Sequence, residues 1–119
     1  MLLRVDCSSE ADCAAISAAG EIDLATVNTL RSAIAQAMQQ GASHLTLNLN
    51  KVTYIDSSGL GTLIGAHKRL ASSGGSLTIR CSQGRILRLL AITGLDRVLT
   101  VTSDDGDRDA VALPEATPA

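Results

Sequence analysis

The sequence predicts an α/β domain: a mixed, mostly parallel β-sheet with helices packed on it, in the element order β-β-α-β-α-β-α-β. Three observations predict it. Apolar residues recur at spacings of three and four in three separate stretches, the mark of amphipathic helices. Short apolar or alternating runs bounded by Gly, Ser and Asp lie between those stretches and read as strands. Strands separated by helices are usually parallel neighbours joined by right-handed crossovers. With 119 residues the chain makes one domain, large enough for a single hydrophobic core.

Each element follows from local pattern. Residues 2–6 (LLRVD) and 13–18 (CAAISA) read as two strands joined by a turn across the polar residues 8–12, the second signal being weaker because Ala is a poor strand former. After GEID at 20–23 the period changes, and Val27, Leu30, Ile34, Ala37 and Met38 share one helical face. Gly41 ends that helix as a C-cap glycine. LTLNL at 45–49 alternates as a strand bounded by Lys51 and Thr53. Leu60, Leu63, Ile64, His67, Leu70 and Ala71 then define a second helix, which reaches the break at residues 72–75 (SSGG). SLTIR at 76–80 is a strand; Ile86, Leu89 and Leu90 mark a third helix stopped near Gly94; residues 98–101 form the last strand. The domain is expected over residues 1–113, with one weak helical turn within 107–113 and a frayed, disordered tail at 114–119.

Composition narrows the function. The chain is 45% hydrophobic with Tyr54 as its one aromatic residue, so Leu, Ile, Val and Ala must build the core. Net charge is −2 and the ten Lys and Arg are scattered, which argues against a nucleic-acid partner, since phosphate binding needs clustered positive charge. Cys7, Cys13 and Cys81 form no CxxC pair and read as reduced, small packing residues of a cytosolic protein. The start MLLRVDCSSE is too short in apolar residues for a signal peptide, and no segment reaches the roughly 20 apolar residues of a membrane span. The expectation is a cytoplasmic protein.

One segment stands out: YIDSSGLGTLIG at 54–65. Ser57 and Ser58 lack the glycine two positions earlier that a hydrolase elbow G-x-S-x-G requires. The histidines are His44 and His67, and His67 lies about 15 Å along the helix from Ser57, too far to serve as its base. The glycines do not match G-x-G-x-x-G, no G-K-[ST] loop is present, and no metal-ligand spacing occurs. No cofactor is expected. Asp56, Ser57 and Ser58 all stand where an N-cap belongs, a role worth about 1 kcal/mol. Yet Gly59 and Gly61 in the first turn each cost roughly 1 kcal/mol relative to Ala, so something approaches that backbone closely, either the sheet beneath or an external partner. A serine at a helix N-terminus is also a well-placed phosphate acceptor, because the helix dipole favours added negative charge. This physics does not choose between the two hydroxyls.

IDSSGLGTL, with GEID upstream and TGLDRVL downstream, resembles the STAS domain of bacterial anti-sigma-factor antagonists, and the resemblance spans residues 3–113. It implies the STAS fold and a binding module, not an enzyme. The implied partner is an anti-sigma serine kinase with a histidine-kinase-like ATPase fold, which supplies ATP and the catalytic base. The unphosphorylated form binds this kinase and frees a sigma factor; phosphorylation abolishes the binding, and a serine phosphatase restores it. The resemblance assigns the acceptor to the serine directly after the aspartate, here Ser57, with Ser58 as runner-up. Asp56 would orient Ser57 or the helix start. Asp23 would lie near the acceptor and the partner surface, its alternative being a cap for the first helix. Gly59 and Gly61 would keep the contact surface bare, while Leu60, Leu63 and Ile64 belong to the core. Many members carry an aspartate where this chain has Asn48, which leaves a charge-dependent role there without support. His67, Lys68 and Arg69 either border the partner surface or form a solvated helix face. The free chain is expected to be a monomer, with no nucleic acid bound and no membrane insertion. A second implied role is that of a non-catalytic scaffold subunit, in a stressosome or beside a lipid ABC transporter, because relatives share the fold across these functions.

Overall fold

The computed structural model describes residues 2–102. Strands β1 (Leu3–Glu10) and β2 (Cys13–Ile22) form a hairpin; α1 (Val27–Gln39), β3 (His44–Ile55), α2 (Ser57–Ser72), β4 (Ser76–Arg80) and α3 (Gly84–Thr93) follow. A 3-10 turn at Leu95–Arg97 leads into β5 (Thr100–Thr102). The five-stranded sheet keeps chain order, β1-β2-β3-β4-β5, with β1 antiparallel to β2 and every other pair parallel. Successive right-handed crossovers that advance in one direction put their helices on one face of the sheet. The core lies there: Ile16, Leu47 and Ile79 from the sheet meet Leu30 and Ile34 of α1 and Leu63 of α2, all essentially without exposure. Each such side chain contributes roughly 1.5–3 kcal/mol on burial.

The helices match the sequence pattern closely. Val27, Leu30, Ile34 and Ala37 of α1 are buried, and Gly41 follows the helix at φ +105°, a left-handed conformation that favours glycine. In α2, Leu60, Leu63 and Leu70 are buried and Ile64 and His67 half-buried, whereas Ala71 is exposed and Thr62 and Ala66 fill the remaining core positions.

The strands depart from the pattern in informative ways. β1 continues through Ser8, Ser9 and Glu10, leaving a turn of only Ala11 and Asp12; ladder hydrogen bonds hold those polar residues in a strand that hydrophobic patterning does not register. β2 runs to Ile22, so the first three residues of GEID are strand. β3 reaches Ile55 instead of residue 49, because Glu21 and Ile22 pair with Tyr54 and Ile55 beyond two register shifts in β2. The closing strand begins at Thr100, and Val98 is exposed outside it. Cys7 and Cys13 are exposed, so only Cys81 fits the packing role expected of all three. The helical turn expected within 107–113 and the tail at 114–119 lie outside the described residues.

The length of β3 positions the site. β4 ends opposite Asn48, so residues 49–55 continue past it with only β2 as a partner. Side chains take the place of the missing strand: Gln83 Nε2 donates to the carbonyls of Asn50 (2.8 Å) and Val52, and Ser82 donates its backbone N–H (2.6 Å) and hydroxyl (2.9 Å) to Asn50 Oδ1. This braces the strand end from which α2 departs.

Candidate phosphoacceptor and partner-binding site

Ile22 and Ile55 are register partners at the parallel ends of β2 and β3, so Asp23 and Asp56 leave the sheet side by side. Asp56 N–H donates to Ile22 O at 3.1 Å, and Asp56 O accepts from Leu60 N at 3.0 Å to open α2. Asp56 is the N-cap, with extended backbone (φ −106°, ψ −171°). Its Oδ1 accepts from Ser58 N at 2.9 Å, Gly59 N at 3.2 Å and the Ser58 hydroxyl at 2.6 Å. The Ser58 hydroxyl, followed by the backbone N–H groups of Gly59, Ser58 and Leu24, holds the Asp56 carboxyl below the usual carboxylate range despite some opposing desolvation. It therefore stays anionic.

The two serines thus differ. Ser58 is half-buried and its only proton is committed to Asp56. Ser57 is exposed, and its hydroxyl has no hydrogen bond among the described residues. Two of the first-turn amides are not open either, because Asp56 already occupies those of Ser58 and Gly59. A phosphate on Ser57 would stand beside a fixed carboxylate, at the positive end of the helix dipole.

Asp23 does not cap α1, whose N-cap is Thr26 without a side-chain cap hydrogen bond; it closes the turn just ahead of that helix. Its Oδ1 accepts from Ala25 N and Thr26 N, each at 3.0 Å, while its own N–H donates to Thr26 Oγ1 at 3.0 Å. The Thr26 hydroxyl donates in turn to Glu21 O at 2.7 Å. This reciprocal D-x-x-T box fixes the loop ahead of α1, and Thr26, 8% exposed, is its buried half. Sequence reasoning missed Thr26, though its spacing from Asp23 resembles a capping box. It also missed Leu24, which is 78% exposed in the turn between Asp23 and the start of α1.

The glycines divide. Gly59 is buried against the sheet, where a β-carbon would stand 2.6 Å from Ile55 Cγ1, so its place is structural and it adds no bare contact surface. Gly61 is exposed, and a β-carbon there meets nothing within 4 Å. It opens onto a groove between α1 and α2 lined also by Arg31, Thr62, Gly65 and Arg69. Arg31 Nε donates to Thr62 Oγ1 at 3.1 Å, and the Thr62 hydroxyl donates to Ser58 O at 2.9 Å, which couples α1 to the first turn of α2. Further along α2, Lys68 and Arg69 are exposed, whereas His67 is half-buried with Nδ1 shielded and without a partner.

The profile of the STAS domain family matches residues 5–107. The anti-sigma-B factor antagonist of Bacillus subtilis (strain 168) is 34% identical over 103 residues, which cover 87% of this chain and 94% of that protein. Among solved structures, an anti-sigma factor antagonist from Mycobacterium paratuberculosis superposes with a TM-score of 0.79 at 22% identity, covering 92% of each chain. The Bacillus cell fate determinant SpoIIAA in its phosphorylated form gives a TM-score of 0.67 at 20% identity, covering 92% of this chain and 99% of that one. The two superpositions bear on the fold; the family profile and the Bacillus subtilis relative, together covering the braced strand end and the DSSG turn, place this chain in the STAS-domain family of anti-sigma factor antagonists.

Proposed function

We propose that the protein is an anti-sigma factor antagonist that binds an anti-sigma serine kinase and so frees a sigma factor, and that phosphorylation of Ser57 ends this binding. The observation that carries the reading is the contrast between the two serines: Ser57 is exposed with a free hydroxyl, while Ser58 is held by Asp56. A structural relative, SpoIIAA, is known in a phosphorylated form. In this reading the chain supplies only the acceptor. The kinase, of histidine-kinase-like ATPase fold, brings ATP and the base, and a serine phosphatase reverses the modification, all in the cytoplasm. Among the described residues no helix is long and apolar enough to cross a membrane.

The switch is electrostatic. Asp23 and the anionic Asp56 already give the tip of β2 and β3 a negative character, and a phosphoserine adds about −1.5 to −2 charges. With two first-turn amides taken by Asp56, the added charge stays directed at the partner and the fold is spared. The contact surface comprises Asp23, Leu24, Asp56, Ser57, Ser58 and Gly61. Gly59 supports it from below.

The test is capture from a lysate of the source organism with wild type, Ser57→Ala and Ser57→Asp as baits, followed by mass spectrometry. Wild type and Ser57→Ala are expected to retain a kinase-like ATPase that Ser57→Asp loses. Equal retention by all three would remove the charge switch, and capture of a transporter subunit or a large particle would favour the scaffold role.

A further inference from the structure

β1 is an edge of the sheet, and among the described residues nothing pairs with its outer side. The direction of its backbone groups is fixed by the hairpin. Glu21 N donates to Leu2 O at 3.3 Å, and Arg4, Asp6 and Ser8 lie opposite Ala19, Ser17 and Ala15 in the same phase. In an antiparallel ladder the hydrogen-bonded pairs alternate, so the N–H and C=O groups of Leu3, Val5, Cys7 and Ser9 point outward.

Edges of this kind are usually blunted by proline, a bulge, a cover or charge. β1 contains no proline and pairs with β2 without a register shift. It does carry charge, but the charge is complementary to itself. We propose that a second copy of this chain adds antiparallel to β1, about a twofold axis through Val5, making one sheet continuous across both copies. Outward-pointing residues must meet outward-pointing residues, and this register pairs Val5 with Val5 and Leu3 with Cys7 through the backbone. Arg4 then stands opposite Asp6 on each side of the axis, in the non-hydrogen-bonded pairs where side chains are closest.

The neighbouring registers are poorer. An axis at Asp6 opposes Asp6 to Asp6, and an axis at Arg4 opposes two arginines. An axis at Cys7 pairs Arg4 with Glu10 but leaves Asp6 against Ser8 and Val5 against Ser9. Arg4 and Asp6 are both exposed, and neither has an ion pair among the described residues. On the helical face, the groove beside β1 is lined from α1 by Thr29, Ser32, Gln36 and Gln40, all uncharged. Two α1 helices therefore meet this seam without repulsion. Because the axis runs perpendicular to the sheet, the two Ser57 tips point in opposite directions and both remain open.

The experiment is sedimentation velocity on the full chain from micromolar to millimolar concentration, with circular dichroism to confirm the fold of each variant. Wild type is expected to show a monomer–dimer equilibrium that weakens with salt. Arg4→Asp and Asp6→Arg should each weaken dimerisation about tenfold or more, while the double variant Arg4→Asp/Asp6→Arg returns to within about threefold of wild type. Glu10→Gln should leave it unchanged. A chain monomeric at millimolar concentration, or a dimer indifferent to the single reversals, would overturn the proposal. A double variant no tighter than the singles would overturn it as well, as the Cys7 register predicts.

Discussion

Gly59 lies flat against Ile55: a β-carbon built on the glycine would stand 2.6 Å from Ile55 Cγ1 and 3.0 Å from Cδ1, with Ile22 Cγ2 at 2.7 Å on the other side. The helix therefore begins where the ends of β2 and β3 allow no side chain at all. Gly61, two residues later, meets no such obstacle. Gly59→Ala is expected to destabilise the fold, because overpacking of about 1–3 kcal/mol outweighs the roughly 1 kcal/mol gained in helix propensity. Gly61→Ala should be stabilising by up to about 1 kcal/mol. Urea unfolding of both variants reads the opposite signs directly.

The serines should respond in opposite ways to alanine. Ser57→Ala is expected to abolish phosphate incorporation by the kinase and to leave thermal stability nearly unchanged, since the Ser57 side chain makes no hydrogen bond among the described residues. Ser58→Ala removes the hydroxyl held at 2.6 Å by Asp56, so it should lower the melting temperature and retain modification at position 57. Phosphopeptide mapping that places the phosphate on Ser58 would reverse the assignment.

Acid should weaken the cap. The Asp56 carboxyl is held below its ordinary range chiefly by the Ser58 hydroxyl. A group depressed in the folded state stabilises fully above its unfolded pKa, about 3.9 for Asp, and that contribution is lost as pH falls through the lower folded value. Asp56→Asn keeps an acceptor for the first-turn amides but has no such titration. Between about pH 6 and pH 2 wild type should lose more stability than Asp56→Asn. Parallel curves in a chemical-denaturation series would show that the carboxylate contributes nothing.

Gln83 should matter more than a loop glutamine usually does. Gln83→Ala strips two carbonyls, those of Asn50 and Val52, of their donor, at an expected cost of about 1–3 kcal/mol. Gln83→Leu, which keeps the bulk, should fare no better. Denaturant melts give the magnitude, and hydrogen exchange should quicken along residues 50–55.

Much of this was legible in the sequence because helices declare themselves. Leu30, Ile34, Leu63 and Leu70 recur at a period that propensity and burial both obey, and Gly41 and Gly94 punctuate the helix ends where left-handed backbone is needed. The ends of the strands were less legible. Residues 50–54 (NKVTY) show no clean alternation, and their strand character comes from pairing with a β2 that shifts register twice, a long-range fact. Gly59 and Gly61 look equivalent in the chain and are separated only by what lies beneath each. Likewise DSSG offers three caps on paper, and it is the 2.6 Å bond from Ser58 to Asp56 that leaves Ser57 as the free hydroxyl.

The overhang of β3 beyond β4 has a consequence for recognition. Residues 49–55 pair with β2 on one flank and meet the side chains of Ser82 and Gln83 on the other, while Leu49, Val52 and Ile55 anchor them in the core. A kinase therefore meets Ser57 on a tip that cannot peel away without exposing Val52 and Ile55, so recognition proceeds on the folded turn and the acceptor is presented ready-made.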